Sequence, residues 1–384
     1  MYTHEREESP RPAPTSPAVL AVFISSVQKE FAAVRAAVKR AVEVLHMRPL
    51  MAELVGARPE SPRRALLDEV RAADVLVLIV GARYSKPTED EFNEAKRLGR
   101  PIIVLRQRVA LEPEQEAFLD RVAGGWAGGR MWAEFDDAKD VFEVAVEALS
   151  ALSADRRRSE LAPAARERAR ELAGGERRHG YGGHRSTARV VLVPLVEGPI
   201  VDVVQLDDAL GEEVADLARA ARLVPHSQGI SAAVRSEGVS LSRADGGYAG
   251  EAGFVTVARD GTVVCEIDVG GDGTMAGTRI DSTLLARGIQ SVGTFALAAW
   301  EHVDGRDEVQ QVAVAVAILD AQHKVFDLAP TATSYSIGMT MPSTVIVPEP
   351  VAIVRRGEIA GEELARRVVA EAKRVFADAG AVAK

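Results

Sequence analysis

Apolar positions in the first half of the chain keep two alternating rhythms. Leu20–Ile24 is a short β-rich run. It is followed by Phe31, Val34, Val38, Val42 and Leu45 at helical spacing. Arg48–Ala52 is a second short strand. Ser61-Pro62 then offers an N-cap with proline at the first helical position, and a helix runs to about Ala72. Val75–Val80 (VLVLIV) is apolar without interruption, the mark of a strand buried on both faces. Thr88–Leu98 reads as a helix closed by Gly99, Ile102–Leu105 as the fourth strand, and Glu112–Val122 as a helix. Arg130–Phe135 reads as a fifth strand, and Asp136–Leu152 as the closing amphipathic helix. Strand and helix in alternation predict a parallel sheet covered on both sides over residues 18–152.

From Val190 the rhythm changes to α+β. Val190–Leu195 and Ile200–Gln205 read as strands and Asp207–Leu223 as a helix. Phe254–Arg259 and Thr262–Ile267 flank Asp260-Gly261, a hairpin signal. Ser282–His302 is a long helix, Val309–Leu319 and Lys324–Leu328 are strands, and Gly361–Ala379 is an amphipathic C-terminal helix. The expected organisation is a disordered tail over 1–17, an α/β domain over 18–152, a linker over 153–189 and an α+β domain over 190–384.

The chain has 384 residues, enough for two cores, and aromatic residues make up only 5%, so those cores rest on aliphatic side chains. The formal charge of −9 argues against whole-surface attraction to nucleic acid or anionic membrane. No apolar stretch has the length to span a bilayer, and the acidic, proline-rich first 17 residues are not a secretory signal. One cysteine, Cys265, forms no internal disulfide and no cysteine-based zinc site, which suits a reducing cytoplasmic setting. The seven histidines lack metal spacing. The exception to the acidic balance is Asp155–Arg189, where ten arginines face five carboxylates, a local +5. It reads as a solvated linker, with Arg156, Arg157 and Arg158 as the one place where nucleic acid could attach.

In a doubly wound sheet, ligands bind beyond the carboxyl ends of the strands. That places Ser25 and Ser26 after the first strand, Glu53 after the second, and Gly81, Arg83, Tyr84 and Ser85 after the third. Glu91 lies near the start of the next helix. Together they offer hydroxyls, an aromatic ring and carboxylates. Each has a bland alternative. Ser25-x-x-Gln28 and Thr88-x-x-Glu91 both match a capping box. Tyr84 could be a loop anchor, and Glu53 could pair with Arg58 or Arg83. Gly270-Gly271-Asp272-Gly273 lacks the lysine and hydroxyl of a phosphate loop and reads as a turn.

The segments VFISSVQKEF, MAELVGARPESPRRALLDEVRAADVLVLIVGARYS and TEDEFNEAKRLGRPIIVL, in that order, resemble the bacterial domain family DUF4062 over roughly Val19–Leu152. That family looks like part of the TIR-like and nucleoside deoxyribosyltransferase-like group. The resemblance implies a flavodoxin-like sheet. It also implies that a glutamate opening the helix before the fourth strand attacks or stabilises the anomeric carbon of a ribose. Glu91 matches that position better than Glu94, and Arg100 stands where the group usually has lysine.

The function expected from the whole is hydrolysis of a nucleotide N-glycosidic bond, with NAD⁺ as the first candidate substrate, no cofactor and no metal. Glu91 is the catalytic candidate, and Ser25, Ser26, Glu53, Gly81, Arg83, Tyr84 and Ser85 are the binding candidates. The C-terminal domain would sense a signal or drive self-association, as in a signalling or defence effector. The alternatives are a non-catalytic assembly module and a nucleoside deoxyribosyltransferase-like enzyme.

Overall fold

The computed structural model describes residues 19–27, 31–56, 59–124, 131–175, 186–224, 229–243, 255–270, 278–327 and 342–379. The expected N-terminal tail, Gln28, Arg58, Gly271–Gly273 and residues 176–185 of the expected linker lie outside them. Two compact units divide the chain at Asp155.

The first unit contains β1 (Ala21–Ser25), α1 (Ala32–Val44), β2 (Arg48–Leu50), α2 (Pro62–Ala72), β3 (Val75–Val80), α3 (Lys86–Arg97), β4 (Ile102–Gln107), α4 (Pro113–Ala123), β5 (Trp132–Phe135) and the start of α5 (Ala138–Gly174). All five strands are parallel, in the order β2-β1-β3-β4-β5, which is the flavodoxin-like doubly wound arrangement. Successive side chains of a strand point to opposite faces. Val75, Val77 and Ile79 therefore join Val38, Val42 and Leu149 on one side. Leu76, Leu78 and Val80 join Val70, Phe92 and Phe118 on the other. This two-sided burial explains the unbroken apolar run of β3. Its six buried side chains contribute on the order of 10 kcal/mol before conformational entropy is set against them. At α2, the Ser61 hydroxyl accepts a bond from the Arg64 amide and Pro62 opens the helix, as the Ser-Pro pair predicts.

Two local expectations shift. α1 starts at Ala32 with Phe31 at its N-cap, and Ser25 is the last residue of β1 rather than the cap of that helix. α3 starts at Lys86, with Pro87 in its first turn and Ser85 at the N-cap, so Thr88 is inside the helix and is not its cap. Glu91 consequently sits in the second turn, beyond the reach of a capping role.

The expected linker is helical as far as Gly174, because α5 runs for 37 residues. Its first half packs Val141, Ala145 and Leu149 into the first unit. Its second half lays Ala165, Ala169 and Ala173 on the sheet of the second. Four arginines of that half are held by partners within the second unit. Arg156 pairs with Glu160 at 3.0 Å, Arg168 with Asp260 at 2.5 Å and Arg170 with Glu349 at 2.5 Å, while Arg166 donates to the Val351 carbonyl at 3.1 Å.

The second unit continues with β6 (Thr187–Pro194), α6 (Asp208–Ala220), β7 (Ile230–Arg235), β8 (Gly238–Arg243), β9 (Val255–Ala258), β10 (Val263–Asp268), β11 (Arg279–Ile280), α7 (Ser282–Val303), β12 (Gln311–Leu319), β13 (Val325–Phe326), β14 (Thr344–Arg355) and α8 (Glu362–Asp378). Seven strands form an antiparallel sheet in the order β14-β12-β6-β10-β9-β8-β7. Residues of α6, α7 and α8 cover one face, and the second half of α5 covers the other. The Asp260-Gly261 hairpin forms between β9 and β10, with Gly261 at φ +78°. The Gly261 carbonyl accepts a bond from the indole of fully buried Trp300 at 2.8 Å. Arg189, 3% exposed, pairs with Glu266 at 2.8 Å and donates to the Leu172 and Gly175 carbonyls at the end of α5. Ile200–Gln205 is not a strand: Asp202 and Gln205 form a capping box around a 3-10 turn, and that local pairing displaces the expected extended run. The β7–β8 hairpin and β14 were not anticipated. β14 carries Pro348 and Pro350, which argue against a strand when read locally but are tolerated at a sheet edge.

Candidate functional site

The sheet order reverses between β1 and β3, so the crevice at their carboxyl ends is the switch point where such folds bind ligands. Ser25 ends β1 there, in register with Leu78 of β3. Glu91 reaches it from the second turn of α3, on the face that also buries Thr88, Phe92 and Ala95. The Ser25 hydroxyl donates to the Glu91 carboxylate at 2.5 Å. Glu91 is 7% exposed. Burial lifts its pKa to about 7, against the opposing pull of the Ser25 bond and the Arg35 charge.

The other carboxylates of α3 are differently placed. Glu89 accepts from the Tyr84 hydroxyl at 2.5 Å and pairs with Lys86 at 3.0 Å and Arg121 at 2.8 Å. The Tyr84 bond foremost holds its carboxyl down at about 2. Asp90 pairs with Arg63 at 2.9 Å and Lys86 at 3.2 Å. Glu94 pairs with Arg97 at 2.8 Å and Arg71 at 2.6 Å, which also hold it at about 2. Among the described residues, Glu91 alone of these four has no ion pair, and it alone is held near neutrality rather than fully ionised.

A second group adjoins it. Arg35, 2% exposed, donates through Nη1 to Ser26 Oγ at 2.9 Å and to the Ile24 carbonyl at 3.3 Å. Its Nε donates to Glu53 at 2.6 Å, and Nη2 completes a bidentate pair with the same carboxylate. Burial alone would raise the Glu53 carboxyl, but the bonds from Arg35 outweigh it and hold the group below its usual range. Glu53 thus pairs with Arg35, a partner that the sequence reading did not name. Arg35 was not among the sequence candidates. Its signal was present: an arginine placed within the buried stripe Phe31, Val34, Val38 and Val42 of α1 needs a partner inside the fold.

The remaining candidates lie differently. Gly81 is a packing position, since a Cβ there would come within 2.1 Å of the Phe31 ring. Tyr84 stacks edge-on against Phe118 and bonds Glu89. Arg83 sits 3.7 Å from Glu112 on the surface. Ser85 is the N-cap of α3 but makes no side-chain cap bond. Arg100 donates to the Arg71 carbonyl at 3.1 Å, at the opposite end of α3 from Glu91's partners. A surface hollow of about 410 Å³ opens along α2, lined by Ser61, Arg63, Arg64, Leu67 and Arg71. Among the described residues no cluster of histidine, cysteine or carboxylate side chains could hold a metal ion, and no helix is long and apolar enough to cross a membrane.

Fold and site define a doubly wound α/β module with a buried carboxylate at its switch point. Residues 21–150 match the family model described as "Domain of unknown function (DUF4062)", the family that the sequence resembles. No curated protein matches the chain. Among solved structures it is similar to the CMP N-glycosidase BcmB of Clostridium botulinum, with 17% identity and a TM-score of 0.26, over 32% of this chain and 94% of that one. It is also similar to a conserved protein from Enterococcus faecalis V583, with 15% identity and a TM-score of 0.24, over 34% of this chain and 99% of that one. Likenesses of this size say nothing of substrate.

Proposed function

We propose that the first unit breaks the N-glycosidic bond of a nucleotide, with NAD⁺ as the first substrate to test. The observation that carries this reading is the state of Glu91. It is a buried carboxyl without an ion pair, oriented by the Ser25 hydroxyl at the carboxyl ends of β1 and β3. A group of this kind is matched to a transition state in which positive charge appears at a sugar carbon. In the proposed step the C1′–N bond breaks and its electron pair goes to the leaving nitrogen, which neutralises a pyridinium such as nicotinamide. Ionised Glu91 offsets the oxocarbenium charge left on C1′. Water then adds to C1′ and releases a proton. Arg35 and Glu53 hold Ser26 and the end of β1 in place, so that Ser25 meets Glu91 without rearrangement.

The test is NAD⁺ consumption by purified protein, over a concentration series, with wild type and Glu91→Gln. Glutamine retains shape but not charge, and a loss of about 10²–10³ in rate is expected. Equal turnover in the two proteins ends the proposal. Ribosyl transfer to an added free base would redirect it to a transferase.

A second reading, an assembly module without chemistry, draws on the place of the hollow. It opens along α2 and is not lined by Glu91. Absence of turnover of any nucleotide by concentrated wild-type protein favours it.

A further inference from the structure

The two edges of the seven-stranded sheet are unlike. β14 carries Pro348 and Pro350, whose missing amides block further pairing, and Glu349 is held by Arg170 and Glu371. β7, the sequence Ile-Ser-Ala-Ala-Val-Arg, has no proline, and its first five residues carry no charge. Its outward backbone groups can be assigned. The Arg259 amide bonds the Glu237 carbonyl at 3.0 Å, so the odd-numbered residues of β8 turn their backbone toward β9. The even-numbered ones, Gly238, Ser240 and Ser242, turn toward Arg235, Ala233 and Ser231 of β7. Ile230, Ala232 and Val234 therefore direct their amides and carbonyls away from the sheet, and among the described residues no backbone group takes them. The side chains of Ala232 and Val234 face α6, where they abut Gly211. Ile230 and Val234 are only partly buried, at the rim of the hydrophobic core.

We propose that β7 pairs with β7 of a second copy of this chain, antiparallel about a two-fold axis at Ala232. The pairing is self-consistent. Ala232 meets Ala232, and Ile230 meets Val234 on either side. Each pair exchanges two bonds, so six bonds satisfy every outward amide and carbonyl of the three residues in both strands. The side chains on the α6 face are then apolar against apolar and extend the core across the joint. A partner strand must offer apolar residues at every second position and no charge opposite Ile230–Val234; this strand itself does. Arg235 lies opposite Gly229, so no like charges meet across the axis. The contact is isologous and closes at two copies.

The experiment needs no ligand: full-length protein is followed by light scattering and sedimentation velocity across a micromolar concentration series. Wild type should shift from monomer to dimer as concentration rises. Ala232→Pro removes an outward amide while leaving the β7–β8 ladder intact, and Ser231→Lys sets a charge on the exposed face of the edge. Each should weaken dimerisation at least tenfold. Circular dichroism identical to wild type shows that the fold is kept, and Ser231→Lys alone decides if the proline variant misfolds. A monomer at all concentrations overturns the proposal, as does a dimer that both variants leave unchanged. Slow amide exchange at Ile230, Ala232 and Val234 in dilute monomer would mean that another segment of the chain already covers the edge, and would also overturn it.

Discussion

Glu91→Gln should make the first unit more stable at neutral pH while it slows the proposed chemistry by about 10²–10³. Burial moves the Glu91 carboxyl from an ordinary 4.5 to about 7. At about 1.4 kcal/mol for each pH unit, the move corresponds to about 3.5 kcal/mol. The sign follows from linkage. Below pH 4.5 the group is protonated in folded and unfolded chains alike and burial costs no ionisation. Between 4.5 and 7 the unfolded chain releases the proton first, so stability falls as pH rises. Above 7 the whole penalty is present. Glutamine never ionises, and its carbonyl still accepts the Ser25 hydroxyl. The variant should therefore exceed wild type by about 2–3 kcal/mol at pH 8 and by less than about 1 kcal/mol at pH 5. For a unit of this size that is a rise of about 5–10 °C in melting temperature at pH 8. Urea unfolding of the full chain from pH 5 to 8.5, read by hydrogen exchange in β1 and β3 peptides, isolates the first unit. A variant that is less stable than wild type, or a difference that does not grow with pH, would refute the reasoning. A site that holds its carboxylate at a cost to stability is what a stability–activity trade-off looks like locally.

The acid limb of the pH–rate profile should lie near pH 7, because only ionised Glu91 serves the transition state. Arg35→Met should move that limb upward, since the Arg35 charge favours the ionised form, and should lower stability by about 2–4 kcal/mol through the lost charged bonds; an unmoved limb would separate Arg35 from the site. Gly81→Ala forces a methyl into the Phe31 ring and should cost about 1–3 kcal/mol in urea unfolding. Glu266→Ala removes the carboxylate from buried Arg189, which keeps its carbonyl acceptors, and should cost about 1.5–3 kcal/mol in the second unit, a loss that exposed-pair variants such as Arg219→Ala should not reproduce.

Much of this fold is legible locally. Val75–Val80 names a central parallel strand because both its faces are apolar, and the Ser61-Pro62 and Asp260-Gly261 pairs carry their own backbone preferences. Such signals need only a few consecutive residues. Where two local signals compete, the sequence is ambiguous: Thr88-x-x-Glu91 imitates a cap, but Pro87 favours a start one turn earlier, and the helix takes that start. The alanine stripe of α5 after Asp155 is too weakly apolar to declare a buried face, and only the sheet beneath it makes those alanines core. β14 is not legible locally because its prolines are acceptable only at an edge, and edge position is a property of the assembled sheet. The site divides in the same way. Glu91 and Ser25 could be nominated from their places after strands, but they are 66 residues apart in the chain, and their bond exists only because β1 and β3 are neighbours. The raised pKa of Glu91 and the neutralisation of Glu89, Asp90 and Glu94 depend on burial and on arginines from α2 and α4. Sequence determined which carboxylates were available; tertiary packing decided which of them was left buried without a direct ion pair.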